Sequence, residues 1–186
     1  MKTALQPSSG RILVSEPTLT DRFFARSVVL LAEHDSGGSF GLIINKPSDI
    51  RLSQITDEFP GFDPHLFLGG PVKVENLYFI HTKGEEVEGS LKIIEGLFWG
   101  GNVSKIKELI KNKQITENDI RFFIGYAGWQ PKQLERELSE NSWLVLKASA
   151  DEILKANSEQ VWRKILISLG EEYAPWVNYP DDPQMN

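Results

Sequence analysis

Few residues in this sequence can carry acid, base or nucleophilic chemistry. It contains no cysteine and only three histidines, His34, His65 and His81. The absence of cysteine excludes thiolate nucleophiles, disulfide bonds and cysteine-ligated metal sites. The histidines do not have the spacing of a helical metal site, so we predict neither a metal nor a cofactor. His34, between Glu33 and Asp35, is the best single candidate for a titrating group.

Residues 37–41 read GGSFG and match the G-x-S-x-G pattern of a hydrolase nucleophile. In such enzymes the serine lies on a strained turn between a strand and a helix. Here residues 40–44 are apolar and rich in β-formers, and Pro47 ends the run. This pattern predicts a β-hairpin with residues 34–39 as its loop. We therefore interpret Ser39 as part of a glycine-rich turn.

Residues 125–129 read GYAGW, the most unusual local composition in the chain. They follow a predicted strand over 121–125 and precede Pro131, where a helix is expected to begin. Junctions between a strand end and a helix N-terminus collect backbone donors and form clefts for ligands. In the structural alternative, the glycines allow close backbone packing while Trp129 fills the core.

The balance of charge argues against direct binding to nucleic acid. The sequence has 20 Lys plus Arg and 26 Asp plus Glu, which gives a net charge of -6. Positive charge is concentrated on one predicted helix and just beyond it, at Lys105, Lys107, Lys111 and Lys113. A solvent-exposed helix face explains these lysines, and no known DNA-reading motif accompanies them.

The elements that must position these residues are mostly strands, with helices concentrated late in the chain. The length of 186 residues predicts one domain covering residues 1–186. Apolar runs predict strands at residues 11–15, 27–33, 40–45, 66–68, 77–81, 91–99, 121–125 and 143–148. Helical spacing is present near 52–59, over 103–110 behind Asn102 as N-cap, after Pro131, and between Ser149 and Gly170. The predicted fold class is α+β, with a largely antiparallel sheet and a C-terminal third rich in helices.

The two ends of the chain have weak structural patterns. Residues 1–9 read as a flexible lead-in without the apolar segment of a secretory signal, and no apolar run approaches the roughly 20 residues of a membrane-spanning helix. We therefore predict a cytoplasmic protein without membrane contact. Residues 171–186 are expected to form an extended, proline-rich tail. Aromatic residues among prolines often mark contact segments, so Trp176 to Pro183 is a candidate segment for self-association.

Several separated motifs occur in the order found in one bacterial family. They are SEP at 15–17, Phe24 with Ser27-Val28, Glu33-His34, GLIINKP at 41–47, LGGPV at 68–72, GYAGW at 125–129, Gln133-Leu134, Glu137 and NSW at 141–143. On these motifs the chain resembles the YqgE/AlgH family nearly from end to end. The resemblance implies a compact α+β domain whose sheet curls into a pseudo-barrel, with no established cofactor. Some members are described as transcriptional regulators, a role that the net charge fits poorly.

Our first hypothesis is a non-catalytic binding or adaptor domain that has an indirect effect on regulation. Its groove would receive an unknown partner, which is a peptide, a protein or a small ligand. Amides, glycine backbone and aromatic faces recognise ligands without titrating. On this basis the groove is predicted to contain Asn45, Gly69, Gly70, Tyr126, Trp129 and Gln133.

Three other interpretations remain open at this stage. The first is an enzyme with general acid–base chemistry at the same groove, in which His34 or Glu137 titrates. The second is a direct transcriptional regulator. In the third, the same residues chiefly specify the fold: Trp129 fills the core, while Asn45 and Gln133 satisfy buried backbone groups.

Overall fold

A computed structural model describes residues 5–19, 21–158 and 160–180 of the chain. In this part of the chain the strands are β1 (Arg11–Ser15), β2 (Val28–Asp35), β3 (Gly38–Ile43), β4 (Pro47–Arg51), β5 (His65–Leu68), β6 (Val72–His81), β7 (Leu91–Ile94), β8 (Leu97–Trp99), β9 (Ile120–Trp129) and β10 (Trp143–Lys147). The helices are α1 (Val103–Lys111), α2 (Gln133–Ser139), α3 (Ala150–Lys155), α4 (Gln160–Leu169) and α5 (Ala174–Val177). Short 3-10 helices cover Leu52–Gln54 and Glu171–Tyr173.

The described strands form one large sheet that does not close on itself. Its main order is β10-β1-β2-β3-β9-β6-β8-β7, and β4 pairs with β5 beside this path. The strand pairs are antiparallel except for β5 with β9. β9 is the central strand, because it pairs with β5 and β6 along its first part and with β3 along its last residues. The predicted α+β class, the curled and largely antiparallel sheet, and the helix-rich C-terminal third are confirmed.

Each of the longer helices covers the sheet with an apolar face. α1 buries Ile106 and Leu109 in a cluster that includes Phe122 of β9. α4 buries Trp162 and Leu166 in the cluster formed with β1, β2 and β3. These residues have the helical spacing seen in the sequence, and burial of such faces is the main stabilising contribution to helices of this length.

Two helix caps expected from the sequence are present. The Asn102 side chain accepts a hydrogen bond from the Lys105 backbone N–H at 3.2 Å. Before α3, Ser149 Oγ accepts from the Glu152 N–H at 3.3 Å, and the Glu152 carboxylate accepts from the Ser149 N–H at 2.8 Å. These contacts satisfy backbone donors that have no partner within the helix.

A buried arginine joins the central strand to the C-terminal end of α3. The side chain of Arg121 in β9 donates to the Ile44 carbonyl, and also to the carbonyls of Ile153, Leu154 and Ala156. Arg121 is 7% exposed, and its burial lowers the pKa of the guanidinium to about 10. The group is therefore still a cation at neutral pH. Its positive charge stabilises the C-terminal end of α3, where the helix dipole is negative.

The segment after β3 differs from the helix predicted near residues 52–59. Pro47–Arg51 forms strand β4, and a single 3-10 turn at Leu52–Gln54 follows it. Alternate residues of β4 are half-buried, the period of a strand with one covered face. Pro47 is tolerated because it is the first residue of that strand. Leu52 and Phe59 are both buried, but turns and not a helix connect them.

β9 also extends beyond its predicted end at Gly125. Gly125 adopts a φ of 67°, and the pairing of β9 with β6 becomes irregular in this region. Beyond Gly125 the chain continues as strand to Trp129, and residues 127–129 pair with β3. The extension brings GYAGW into the sheet.

The tail predicted to be extended over 171–186 is partly helical. Pro175 is compatible with α5 because it lies in the first turn, where its missing N–H has no helical acceptor. Trp176 is half-buried against the chain's own core, and Val177 is buried there. Residues 181–186 lie outside the described residues, so self-association through Trp176 to Pro183 stays a prediction.

The N-terminal lead-in is described from residue 5 onwards. The Ser9 hydroxyl donates a hydrogen bond to the Ala32 carbonyl at 2.7 Å, which ties this segment to β2. Residues 1–4 of the predicted flexible segment lie outside the described residues. Among the helices of the described chain, none has the length and apolar character needed to cross a membrane.

Candidate functional site

The GGSFG turn and the GYAGW strand end form the walls of one cleft, which we call the hairpin cleft. Its volume is about 360 Å³, near the lower end of the roughly 300–1,000 Å³ typical of small-molecule sites. It is lined by Glu33, Asp35, Gly37, Gly38, Ser39, Phe40, Val72, Tyr126, Gly128, Trp129 and Gln130.

Pairing between β3 and β9 brings these two motifs together. Ser39 lies opposite Trp129, and Phe40 lies opposite Gly128. Gly38 permits the close approach at the hairpin, because it has a φ of 129° and a Cβ there would lie 2.4 Å from the Trp129 carbonyl oxygen. The β2–β3 hairpin predicted from the sequence is confirmed, but its turn is shorter than the predicted loop over 34–39, because His34 pairs with Ser39 and Asp35 with Gly38 as strand residues.

Four half-buried aromatic rings line and support one side of the hairpin cleft. The Tyr126 ring lies 4.8 Å from that of Phe40 and 5.6 Å from that of Tyr78, measured between centroids. Phe40 stacks in turn on Trp99 at 4.8 Å with an interplanar angle of 22°. Rings at these separations attract one another. The Tyr126 ring is therefore held in place as part of the cleft surface.

His34 reaches the hairpin cleft through Ser39. His34 Nδ1 and Ser39 Oγ are 2.8 Å apart across the β2–β3 hairpin, and both side chains are half-buried. A hydroxyl hydrogen-bonded to an imidazole is the contact that a nucleophile and its base require. The turn nevertheless joins two strands, as the sequence predicts, so it lacks the helix N-terminus of a nucleophile elbow.

Two carboxylates give the hairpin cleft a negative character. Glu33 and Asp35 are both exposed, and the lining contains no lysine, arginine or histidine. One oxygen of Asp35 accepts a hydrogen bond from the Gly37 N–H at 2.6 Å. Within the described residues neither carboxylate forms an ion pair. Both are therefore available to an incoming cationic group.

A single carboxylate holds Trp129 in the cleft wall. Glu137 Oε2 accepts hydrogen bonds from the indole N–H of Trp129 at 2.8 Å and from that of Trp143 at 2.9 Å. Its other oxygen accepts from Gln133 Nε2 at 2.9 Å, while Gln133 Oε1 accepts from the Gln130 N–H. Neither Gln133 nor Glu137 lines the cleft. The geometry makes Glu137 a positioning residue for Trp129 rather than a group facing substrate.

Gly69 and Gly70 lie directly against the backbone of β9. A Cβ on Gly69 would lie 2.3 Å from the Gly125 carbonyl oxygen, and one on Gly70 would lie 2.2 Å from the Tyr126 carbonyl carbon. Gly70 also has a φ of 153°. Neither residue lines the cleft. These glycines thus permit the close approach of this segment to the strand that carries Tyr126.

Asn45 lies in the core and not in the predicted groove. It is fully buried, its Oδ1 accepts from the Val28 N–H at 2.8 Å, and its Nδ2 donates to the Arg26 carbonyl at 3.0 Å. Its amide satisfies buried backbone groups, as in the structural interpretation. Among the predicted groove residues, two line the hairpin cleft, Tyr126 and Trp129. The others do not line it: Asn45, Gly69, Gly70 and Gln133.

The remaining histidines take no part in the cleft. His81 is fully buried, and burial lowers its pKa. Because the Lys83 N–H donates to Nδ1, the neutral ring carries its proton on Nε2, which donates to the Gly100 carbonyl at 3.0 Å. His65 is exposed, with Nδ1 3.1 Å from the Ser48 carbonyl oxygen. Among the described residues, no three His, Cys, Asp or Glu side chains lie close enough to hold a metal ion.

Salt bridges engage part of the positive charge of helix α1. Lys105 pairs with Glu108 at 2.8 Å, and Lys107 pairs with Glu58 at 3.1 Å. Acidic partners therefore offset two of the four lysines that could contact phosphate. This observation weakens the case for direct nucleic acid binding.

Sequence reasoning missed Phe40 and Tyr78 as residues that support the site. The sequence predicts each of them only as a member of an apolar strand. Their contact with Tyr126 depends on β9 pairing with β3 on one side and β6 on the other. An alternation of aromatic and small residues in β3 and β9 was the available clue, but it does not identify the partner strand.

Comparisons with known proteins identify the family. Residues 12–174 match the family model described as AlgH-like. A UPF0301 protein from Cytophaga hutchinsonii is 38% identical over 180 residues, covering 96% of this chain and 99% of the relative. One from Parabacteroides distasonis is 40% identical over 182 residues, covering 97% and 92%.

Two solved structures share the fold. The crystal structure of protein DIP2367 from Corynebacterium diphtheriae has a TM-score of 0.79 at 24% identity and covers 95% of each chain. The solution structure of the AlgH protein from Pseudomonas aeruginosa has a TM-score of 0.72 at 26% identity, covering 97% of this chain and 98% of that one. The resemblance predicted from the motifs is confirmed, and the chain belongs to the AlgH-like family of UPF0301 proteins.

Proposed function

We propose that this chain is a binding or adaptor domain without catalytic activity, and that its hairpin cleft holds a short peptide segment of a partner protein. One observation carries the proposal. The GGSFG turn and the GYAGW strand end are distant in sequence, yet both line this cleft. The Glu137 carboxylate holds Trp129 of the GYAGW wall in position, and Gly69 and Gly70 allow the chain to pack directly against that wall.

The lining groups favour recognition over reaction. Aromatic residues contribute a large share of the binding energy at protein interfaces, and Tyr126 presents such a ring beside the glycine backbone of the turn. Glu33 and Asp35 favour a segment that contains lysine or arginine, because complementary charge increases both specificity and association rate. A cleft of about 360 Å³ admits a few side chains of such a segment.

An indirect regulatory effect fits this proposal better than direct binding to DNA. The net charge is -6, and two lysines of the basic helix are already paired with glutamates. An adaptor would alter regulation through its protein partner. The cytoplasmic location remains a prediction.

Replacement of Tyr126 by leucine tests the proposal. Peptides selected from a random library on the wild-type protein should bind the Tyr126→Leu variant at least about tenfold more weakly, because the aromatic face is lost while much of the apolar volume remains. Isothermal titration calorimetry measures the affinities, and urea unfolding verifies that the variant is folded.

The matched control is Tyr173→Leu, which replaces a half-buried tyrosine that lines a different cavity. It should leave peptide affinity unchanged. Equal affinity of the selected peptides for the wild type and Tyr126→Leu would contradict the proposed role of the cleft.

A second candidate function rests on the contact between Ser39 and His34. In this alternative the hydroxyl of Ser39 attacks the carbonyl carbon of an ester, His34 accepts its proton, and the alcohol leaves with that proton. Water then releases the acyl group by the same route. Glu137 is not part of this alternative, since its oxygens already hold two indoles and an amide.

A fluorophosphonate probe distinguishes this alternative from simple binding. An activated Ser39 should form a covalent adduct that mass spectrometry locates on that residue. Labelling should disappear in Ser39→Ala and slow by about 100-fold or more in His34→Gln, because general base catalysis contributes on that scale. If Ser39 remains unmodified in the wild-type protein, the enzymatic alternative is wrong.

A further inference from the structure

A second cavity lies between the sheet and helices α3 and α4. Its volume is about 470 Å³, which exceeds that of the hairpin cleft. Its apolar lining includes the half-buried side chains of Leu146, Val161 and Ile165, next to the buried Val28 and Ile153. A concave site with a mostly apolar lining and a few polar groups is the usual form of a small-molecule site.

Charged side chains of both signs line this cavity, but the acidic ones are already engaged. Asp151 pairs with Lys155 at 2.9 Å. The Glu152 carboxylate accepts hydrogen bonds from the backbone and hydroxyl of Ser149. Lys147 and Lys164 also line the cavity, and within the described residues they form neither an ion pair nor a side-chain hydrogen bond. Two ammonium groups are thus available beside an apolar lining.

We propose that this cavity binds a free, single-chain carboxylate of the fatty-acid type. The hydrocarbon chain would lie against the half-buried apolar side chains of the lining, where its removal from water is favourable. The carboxylate would lie at Lys147 and Lys164, where opposite charge compensates for partial loss of hydration. This site is separate from the hairpin cleft and does not depend on the function proposed there.

Octanoate and decanoate provide the first test, by calorimetry on the full chain. Decanoate should bind about 15-fold more tightly than octanoate, because each methylene buried in the cavity increases affinity about fourfold. Decanol has the same chain without the charge and should bind about three- to tenfold more weakly than decanoate. Decyltrimethylammonium should bind more weakly still.

Two variants assign the binding to this cavity. Lys147→Gln/Lys164→Gln should remove the advantage of decanoate over decanol and leave decanol affinity unchanged. Ala148→Leu adds volume to a residue of the lining and should weaken both ligands. The control Lys111→Gln/Lys113→Gln removes two exposed lysines, one at the end of α1 and one just beyond it, and should change neither affinity.

Several results would overturn the fatty-acid proposal. Equal binding of decanoate and decanol to the wild type, or unchanged binding by Ala148→Leu, would overturn the proposal. Binding of anionic phospholipid vesicles with no binding of monomeric decanoate would also overturn it, because the site would then recognise a membrane surface.

Discussion

Arg121→Met is expected to lower the free energy of unfolding by about 3–5 kcal/mol. The arginine is 7% exposed and donates to carbonyls of Ile44 and of the end of α3. Methionine fills a similar apolar volume but provides no donors. The carbonyls would remain buried without partners, and α3 would lose the cation at its C-terminal end.

A lysine at this position should recover only part of the stability. Its ammonium is a point charge and does not reproduce the planar fork that reaches several carbonyls. Lysine also loses the stacking of the guanidinium on Phe67, where the Arg121 Cζ lies 4.1 Å from the ring centroid. Arg121→Lys should therefore have an unfolding free energy between those of the wild type and Arg121→Met.

Urea unfolding measures these differences, with Arg163→Met as the control. Arg163 is exposed and donates to one carbonyl, that of Val177 at 2.9 Å. Its replacement should cost less than about 1 kcal/mol. A similarly small loss in Arg121→Met would show that the buried guanidinium does not brace α3 against the sheet.

Glu137→Ala is expected to lower the free energy of unfolding by about 2–4 kcal/mol. The indole N–H groups of Trp129 and Trp143 both donate to this carboxylate, and the two tryptophans are 6% and 5% exposed. Alanine leaves two buried donors without an acceptor. Trp129 would also lose the contact that fixes its ring in the wall of the hairpin cleft.

The Glu137→Ala prediction has a control on the same helix. Glu135 is exposed, and Glu135→Ala should change stability by no more than about 0.5 kcal/mol. Glu137→Gln retains one acceptor oxygen and should be less destabilising than alanine. The alanine variant should also bind the selected peptides more weakly under conditions where it is folded. Unchanged stability in Glu137→Ala would contradict the positioning role.

Local patterns in the sequence predicted the elements whose determinants are local. The caps at Asn102 and Ser149 and the β2–β3 hairpin depend on residues close in sequence, and all three are present. The strand β4 was missed because its alternation is short and includes Pro47. Its pairing with β5 stabilises the extended conformation, and that pairing is a tertiary effect.

Contacts between segments that are distant in sequence decide which residues line the hairpin cleft. Tyr126 and Trp129 line this cleft, and their motif of glycines and aromatics at a strand end is locally visible, but their role in binding stays a prediction. The Asn45 amide bonds to buried backbone groups, a placement that the sequence does not distinguish from a groove, since an amide near a strand end serves equally well in either. Arg121 interrupts an apolar strand, which indicates a buried charge, but the carbonyls that accept from it are set by the tertiary fold.

The location of the peptide on the protein tests the proposed function most directly. We would titrate a selected peptide into ¹⁵N-labelled protein and follow the backbone amide resonances. Residues 37–39 of the β2–β3 hairpin and residues 126–129 of β9 should shift together and saturate with a single affinity, because both segments line the hairpin cleft. Shifts confined to another surface, with both segments unperturbed, would contradict the assignment of this cleft as the binding site.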